Sequence, residues 1–185
     1  AMLTAVAEVL MLFDFPLPFA PSFYKIDLSE VPILIGCFAM GPAAGIIIEA
    51  MKILLNFIIS GTVTAGVGEL ANFAIGCSMV LPAGLIYRYH KTRKNAVLGM
   101  AAGTLVMAAI GGLLNAFVLL PAYAALFGGM DAIIGMGTAV NKNITSVQSF
   151  VLLSVVPFNL VKGVIVSLVT FLLYKHVSRV LIHNA

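Results

Sequence analysis

Long apolar runs, separated by short polar or proline-rich breaks, dominate this chain. At 1.5 Å per residue, runs over residues 42–60, 69–89, 96–130 and 148–174 approach or exceed the ~30 Å hydrocarbon core of a bilayer. Two shorter apolar stretches precede them, and the pattern predicts six helices. Residues 1–13 read as the end of a first helix, which is expected to begin before residue 1. Pro16, Pro18 and Pro21 cannot continue it, because each removes a donor and restricts its neighbour. A stiff loop therefore runs into the second helix, which Asp27 or Ser29 can cap and whose first turn accepts Pro32. That helix is short and ends near Met40-Gly41-Pro42. The third covers residues 42–60, a loop covers 61–68, and the fourth covers 69–89 with a kink expected at Pro82 and Gly84.

The fifth helix starts near Ala96. Residues 96–130 carry no charge, yet one helix of that length would reach about 50 Å, so it is expected to stop near Pro121 or at Gly128-Gly129. The glycine-rich segment 127–147, with Asn141-Lys142-Asn143, is expected to form an outer loop. A sixth helix follows over residues 148–174. Ala1 with Ala5, and Gly41 with Gly45, are small-xxx-small pairs that would let helices approach closely.

Composition agrees with the pattern. Of 185 residues, 62% are hydrophobic and 9% charged, with mean hydropathy +1.13, against roughly 25% charged in soluble domains. One bundle fits the length: a single all-α integral membrane domain over residues 1–185 with six transmembrane helices. The net charge of +3 is an orientation signal and does not indicate nucleic acid as a partner. Arg88, Lys91, Arg93 and Lys94 mark a cytoplasmic turn by the positive-inside rule. Lys175 and Arg179 put the tail on the same side, so both termini are expected to be cytoplasmic, while Asp14, Asp27, Glu30, Glu69 and Asp131 fall outward. Cys37 and Cys77 read as packing residues, and His90, His176 and His183 are not placed for a metal site.

Within residues 150–174 the only charge is Lys162, preceded by Pro157 and Asn159. A lysine at that depth costs roughly 2.5–3.5 kcal/mol on insertion scales, and such residues face a bundle interior or a wet cavity. Asn159 and Lys162 lie three apart and share a helix face. The topology gathers Tyr24, Asp27, Glu30, Glu69, Asn72, Asn115, Asn159 and Lys162 toward the outer half. Sparse polar groups on apolar walls suit a planar, polar, uncharged heterocycle. Asp27 also reads as a helix cap, Asn72 and Asn115 as interhelical hydrogen bonds, and Glu49 with Lys52 as a structural i,i+3 pair. No phosphate loop, His-Glu-x-x-His or Gly-x-Ser-x-Gly motif is present. Enzyme chemistry is not indicated, and any energised transport must borrow its motor.

Five blocks then acquire a joint meaning: Asp14-Phe15-Pro16-Leu17-Pro18-Phe19 with Ile26-Asp27-Leu28-Ser29-Glu30-Val31-Pro32, Gly41-Pro42-Ala43-Ala44-Gly45, Gly68-Glu69-Leu70-Ala71-Asn72-Phe73, and Pro157-Phe158-Asn159-Leu160-Val161-Lys162-Gly163. In this order, across nearly the whole chain, they resemble the riboflavin-specific substrate-binding (S) component of energy-coupling factor (ECF) vitamin transporters. The resemblance implies a six-helix protein of the bacterial cell membrane that captures riboflavin from outside. It implies partners too: a transmembrane coupling subunit and two ABC-type ATPases. It implies a docking face of the Ala-x-x-x-Ala type, matched by Ala1 and Ala5. Flavin contacts would come from the Tyr24–Glu30 region (Tyr24, Asp27, Glu30), from Asn115, and from Asn159 and Lys162. Riboflavin would be substrate and no cofactor is expected, with flavin mononucleotide left open as a second ligand. Two alternatives stay open: an S component for another vitamin such as thiamine or biotin, and a stand-alone secondary carrier. A carrier would often show inverted repeats with paired broken helices, and no internal duplication is visible.

Overall fold

The computed structural model describes residues 1–21, 23–62 and 64–182, with side chains to residue 174. Lys175, His176, Arg179 and His183, named above for the tail, thus have no described side chains. Helix α1 (Met2–Leu12) leads into an antiparallel pair of two-residue strands, β1 (Phe15–Pro16) and β2 (Lys25–Ile26), in register Phe15↔Ile26 and Pro16↔Lys25. The expected stiff loop is therefore folded back on itself as a hairpin. Helices α2 (Glu30–Met40), α3 (Pro42–Ser60) and α4 (Val67–Tyr89) follow. Helix α5 (Arg93–Leu114) passes through a π turn (Asn115–Leu119) into α6 (Leu120–Leu126). After α7 (Met130–Val140) comes a second such rod: α8 (Val147–Phe150), a π turn (Val151–Val155) and α9 (Val156–Ile182). Among the described residues, Pro42–Ser60, Val67–Tyr89, Arg93–Leu126 and Val147–Tyr174 are helical, long and apolar enough to cross a membrane. Met2–Leu12, Glu30–Met40 and Met130–Val140 are shorter apolar helices.

Two prolines explain the π turns. Pro121 and Pro157 lie inside long rods, where a proline ring meets the carbonyl four residues earlier. Those carbonyls belong to Phe117 and Leu153, each the central residue of a π turn. Widening the spiral there separates ring from carbonyl and lets the rod continue. Pro121 therefore does not stop the fifth apolar run; the rod ends instead at Gly128 and Gly129, whose φ of 91° and 109° suit glycine. The two π turns pack against each other.

Small residues set the closest approaches. A Cβ on Gly99 would lie 2.7 Å from the Ala83 carbonyl oxygen and 3.1 Å from its Cα, and one on Gly103 would meet the Met79 carbonyl oxygen more closely still. With Gly99 and Gly103 one turn apart, α5 lies directly on the α4 backbone. Gly45 also packs tightly, against Val80 and Cys37. Its expected companion Gly41 has nothing within 4 Å; it is glycine because the α2–α3 break needs φ +99°. One apolar core (Ile33, Leu34, Met79, Met107, Val166) fills the middle of the bundle. A second (Ile26, Leu120, Ile133, Ile144, Phe150, Val155) joins the hairpin to α6, α7 and the last rod.

The segment 127–147 corrects the sequence reading: it contains helix α7 rather than an open loop. Glycine inside a helix costs roughly 1 kcal/mol against alanine, which argued for a loop. Packing offsets that cost. Gly137 makes room for Phe150 and Ile144, Ile133 is fully buried, and the Thr138 hydroxyl lies 2.6 Å from the Ile144 carbonyl.

Candidate functional site

The helix ends converge on one cavity. The C-terminal ends of α1 and α3, the hairpin, the N-terminal end of α4, the first π turn with α6, and the N-terminal end of α9 enclose about 560 Å³. Small-molecule sites commonly occupy roughly 300–1,000 Å³. By chain direction this is the end of the bundle opposite the turn that carries Arg88, Lys91, Arg93 and Lys94.

Five of the six expected ligand residues line this cavity: Tyr24, Asp27, Asn115, Asn159 and Lys162. Lys162 Nζ lies 3.0 Å from Asp27 Oδ2, joining α9 to the loop before α2. Asp27 Oδ1 accepts from the Ser29 N–H at 2.8 Å, so the carboxylate both shapes the entry to α2 and neutralises Lys162. Burial opposes its ionisation, but the charges of Lys162 and then Lys52, with the Ser29 hydrogen bonds, outweigh burial and bring the carboxyl down to about 2. Lys162 retains donors beyond the one given to Asp27.

The two asparagines differ in what they leave free. Asn115 Nδ2 donates to the Gly111 carbonyl at 2.8 Å, and its Oδ1 accepts from the Tyr24 hydroxyl. Both ends of that amide are engaged, which fastens the loop to the first π turn. Burial, and then the neighbouring Tyr123, push the Tyr24 hydroxyl well above its usual range, so it stays a donor. Asn159 Nδ2 donates to the Val155 carbonyl at 2.9 Å. A carbonyl only accepts, so the amide orientation is fixed and Oδ1 is the acceptor left for a ligand. Gly111 leaves the space for this side chain: a Cβ there would lie 2.9 Å from Asn159 Nδ2.

Glu30 lies outside the lining. It is 1% exposed and meets Lys52 at 3.0 Å, where Glu49 joins at 2.8 Å and the Ser29 hydroxyl accepts at 3.3 Å. The expected Glu49–Lys52 pair is thus part of a larger buried cluster. Gly76 clears the room for both carboxylates. Ser29 connects this cluster to the Asp27–Lys162 pair. Ala5 on α1 and Ala1, the residue just before that helix, are both exposed.

Sequence reading did not assign several of the lining residues. Phe23 stacks parallel to Phe150 at 6.4 Å and edge-on to Tyr123 at 5.7 Å, while Tyr24 lies 5.3 Å from Phe158. This aromatic cluster seats the loop on the last rods. Asn56 and Ser60 supply polar atoms from α3, and Asp14 pairs with Lys25 at 3.0 Å beside the hairpin. The one signal for Asn56 was an amide one turn before a serine at a helix end. The charged groups of the lining are Asp14, Lys25, Asp27 and Lys162, and they balance within the cavity.

The family model for the ECF transporter substrate-specific component matches residues 1–174. This chain belongs to that family. The S component is 36% identical to "Riboflavin transporter RibU" of Staphylococcus aureus (strain TCH60), over 98% of this chain and 89% of that one. It is 33% identical to "Riboflavin transporter FmnP" of Bacillus subtilis (strain 168), over 94% and 87% respectively. Its fold matches a solved structure described as the S component of a bacterial ECF transporter, with TM-score 0.76, 37% identity, and coverage of 97% of this chain and 93% of that one. The S component is accordingly a multi-pass protein of the bacterial plasma membrane.

Proposed function

We propose that this S component captures riboflavin from outside the cell and delivers it through an ATP-driven energy-coupling module. The observation that carries the reading is the pairing of a fixed acceptor, Asn159 Oδ1, with a donor one turn on, Lys162 Nζ, in a charge-balanced cavity. The polar edge of the flavin ring presents an N–H flanked by two carbonyl oxygens. Asn159 accepts from the N–H and Lys162 donates to a neighbouring carbonyl, while Tyr24, Phe158 and the apolar lining cover the ring. Relatives named as riboflavin transporters support the same ligand.

In this reading the chain crosses the membrane six times, through α1, α2, α3, α4, α5–α6 and α8–α9, with α7 in an outer connection, so that the cavity opens outside and both termini lie in the cytoplasm. Ala1 and Ala5 offer the small-residue face on which a transmembrane coupling subunit docks, and two ABC-type ATPases supply the motor. Riboflavin is cargo, and the protein needs no cofactor and carries out no catalysis. Flavin mononucleotide adds about 1.5–2 negative charges, and among the described residues both lining cations, Lys25 and Lys162, already pair with carboxylates, so it is expected to bind at least about tenfold more weakly.

Isothermal titration of the purified protein with riboflavin, flavin mononucleotide, thiamine and biotin tests the proposal. Riboflavin is expected to bind tightest. Losing a hydrogen bond from a charged donor costs roughly 1.5–3 kcal/mol, so Lys162→Ala weakens it about ten- to a hundredfold. Tighter binding of thiamine or biotin, or unchanged flavin affinity in Lys162→Ala and Asn159→Ala, would overturn it.

A further inference from the structure

Glu8 and Asn56 lie outside the group that reads the ring edge, and their geometry points to a second task. Glu8 is the one ionisable side chain of α1 and is 3% exposed. Its Oε1 accepts from Asn56 Nδ2 at 3.1 Å, while its Oε2 is buried with no hydrogen-bond partner among the described residues. Asn56 Nδ2 also reaches the Ser60 hydroxyl at 3.5 Å, and Asn56 and Ser60 both line the cavity. Two oxygens therefore draw the donor side of the amide away toward α1 and Ser60. The carbonyl oxygen of Asn56 is the atom left for a ligand. Helix α3 packs on α1, α2 and α4, whereas α9 packs on α2, α5 and its own π turn. The acceptor on α3 thus stands on a different wall from Asn159 and Lys162, and the neighbouring helix α4 adds a second lining amide, Asn72.

We propose that Asn56 accepts a hydrogen bond from the hydroxylated side chain of the bound flavin, and that Glu8 is the positioning residue holding its amide in the accepting orientation. This inference rests on the riboflavin reading. A flat ring whose polar edge is read from α9 must send its polyol chain elsewhere, and the amide and hydroxyl wall of α3 and α4 matches a chain of hydroxyl groups. Glu8 acts through Asn56 alone, since it does not line the cavity.

The test compares riboflavin with lumiflavin, which has the same ring edge but a methyl group in place of the polyol chain. Asn56→Leu is expected to weaken riboflavin about five- to tenfold, the worth of one hydrogen bond with its stranded partner. Lumiflavin affinity should stay within about twofold, which also reports that the variant is folded. Glu8→Gln can offer its own NH₂ to Asn56 and let the amide turn over, so it shifts riboflavin in the same direction and spares lumiflavin. Lys162→Ala weakens both ligands. Equal losses for the two flavins in Asn56→Leu, or no loss for either, overturn the inference while leaving the riboflavin reading intact. A wild-type protein that takes neither flavin overturns both.

Discussion

Among the described residues two lysines are buried, Lys52 and Lys162; each is tied to carboxylates, yet of these two only Lys162 borders the cavity. Lys52 is enclosed by Glu30 and Glu49, and removing one partner of a buried pair destabilises by about 3–5 kcal/mol because the other charge is stranded. Lys52→Met is therefore expected to lower the thermal midpoint in detergent by far more than a surface Lys→Met change such as Lys91→Met, and circular dichroism melts will show it. Asp27 gives a pH signature. Its pKa is lowered from 3.8 to about 2 on folding, so its stabilising contribution is complete above about 3.8 and disappears as the pH falls toward about 2. Asp27→Asn should remove the corresponding part of the acid slope, read as the difference between wild-type and variant melts. Lys162 was legible in the sequence because it is the lone charge in an apolar run, and Asn159 because it shares a face with it. The partner, Asp27, was not, since the two are 135 positions apart and Asp27 already made sense as a cap. The tie of Glu30 to Lys52 was hidden for a similar reason. The local Glu49–Lys52 spacing appeared complete, so nothing pointed to a third member arriving from α2.

Helices whose apolar length matches a membrane were readable nearly to the residue: α3 begins at Pro42 and ends at Ser60 as the pattern indicated. What resisted reading were features that depend on a neighbouring element. The π turns arise because Pro121 and Pro157 must be carried inside rods that tertiary packing keeps continuous. Helix α7 survives its glycines because Phe150 fills the space over Gly137. Gly99 and Gly103 gave no early signal because their value lies in the α4 backbone opposite them. Gly103→Val should force α4 and α5 apart, costing at least the roughly 1–3 kcal/mol of overpacking, since the obstacle is main chain that cannot rotate away. A thermal melt alongside Gly61→Val makes a useful contrast: Gly61 has open space around it but φ +70°, so that variant is strained without an interhelical clash.

At the scale of the whole molecule, basic residues gather at one end of the bundle and a closed set of ion pairs and amides at the other. Helix ends at the second end converge beneath a hairpin held down by Phe23 and Tyr24. The family was legible from short motifs strung along the entire chain, because those motifs sit where the chain turns or lines the cavity. The acceptor wall of Asn56 and Ser60 was not, because polar residues at a helix end are ordinarily just solvated. That this cavity holds a flavin ring through Asn159 and Lys162 is the proposal on which the rest depends. The most direct measurement is the visible absorption spectrum of the detergent-purified protein, followed by titration with riboflavin while flavin fluorescence is followed. Bound yellow flavin is expected or, from flavin-free protein, saturable quenching at one riboflavin per chain that Lys162→Ala greatly weakens. A colourless protein that leaves riboflavin fluorescence unchanged would contradict it.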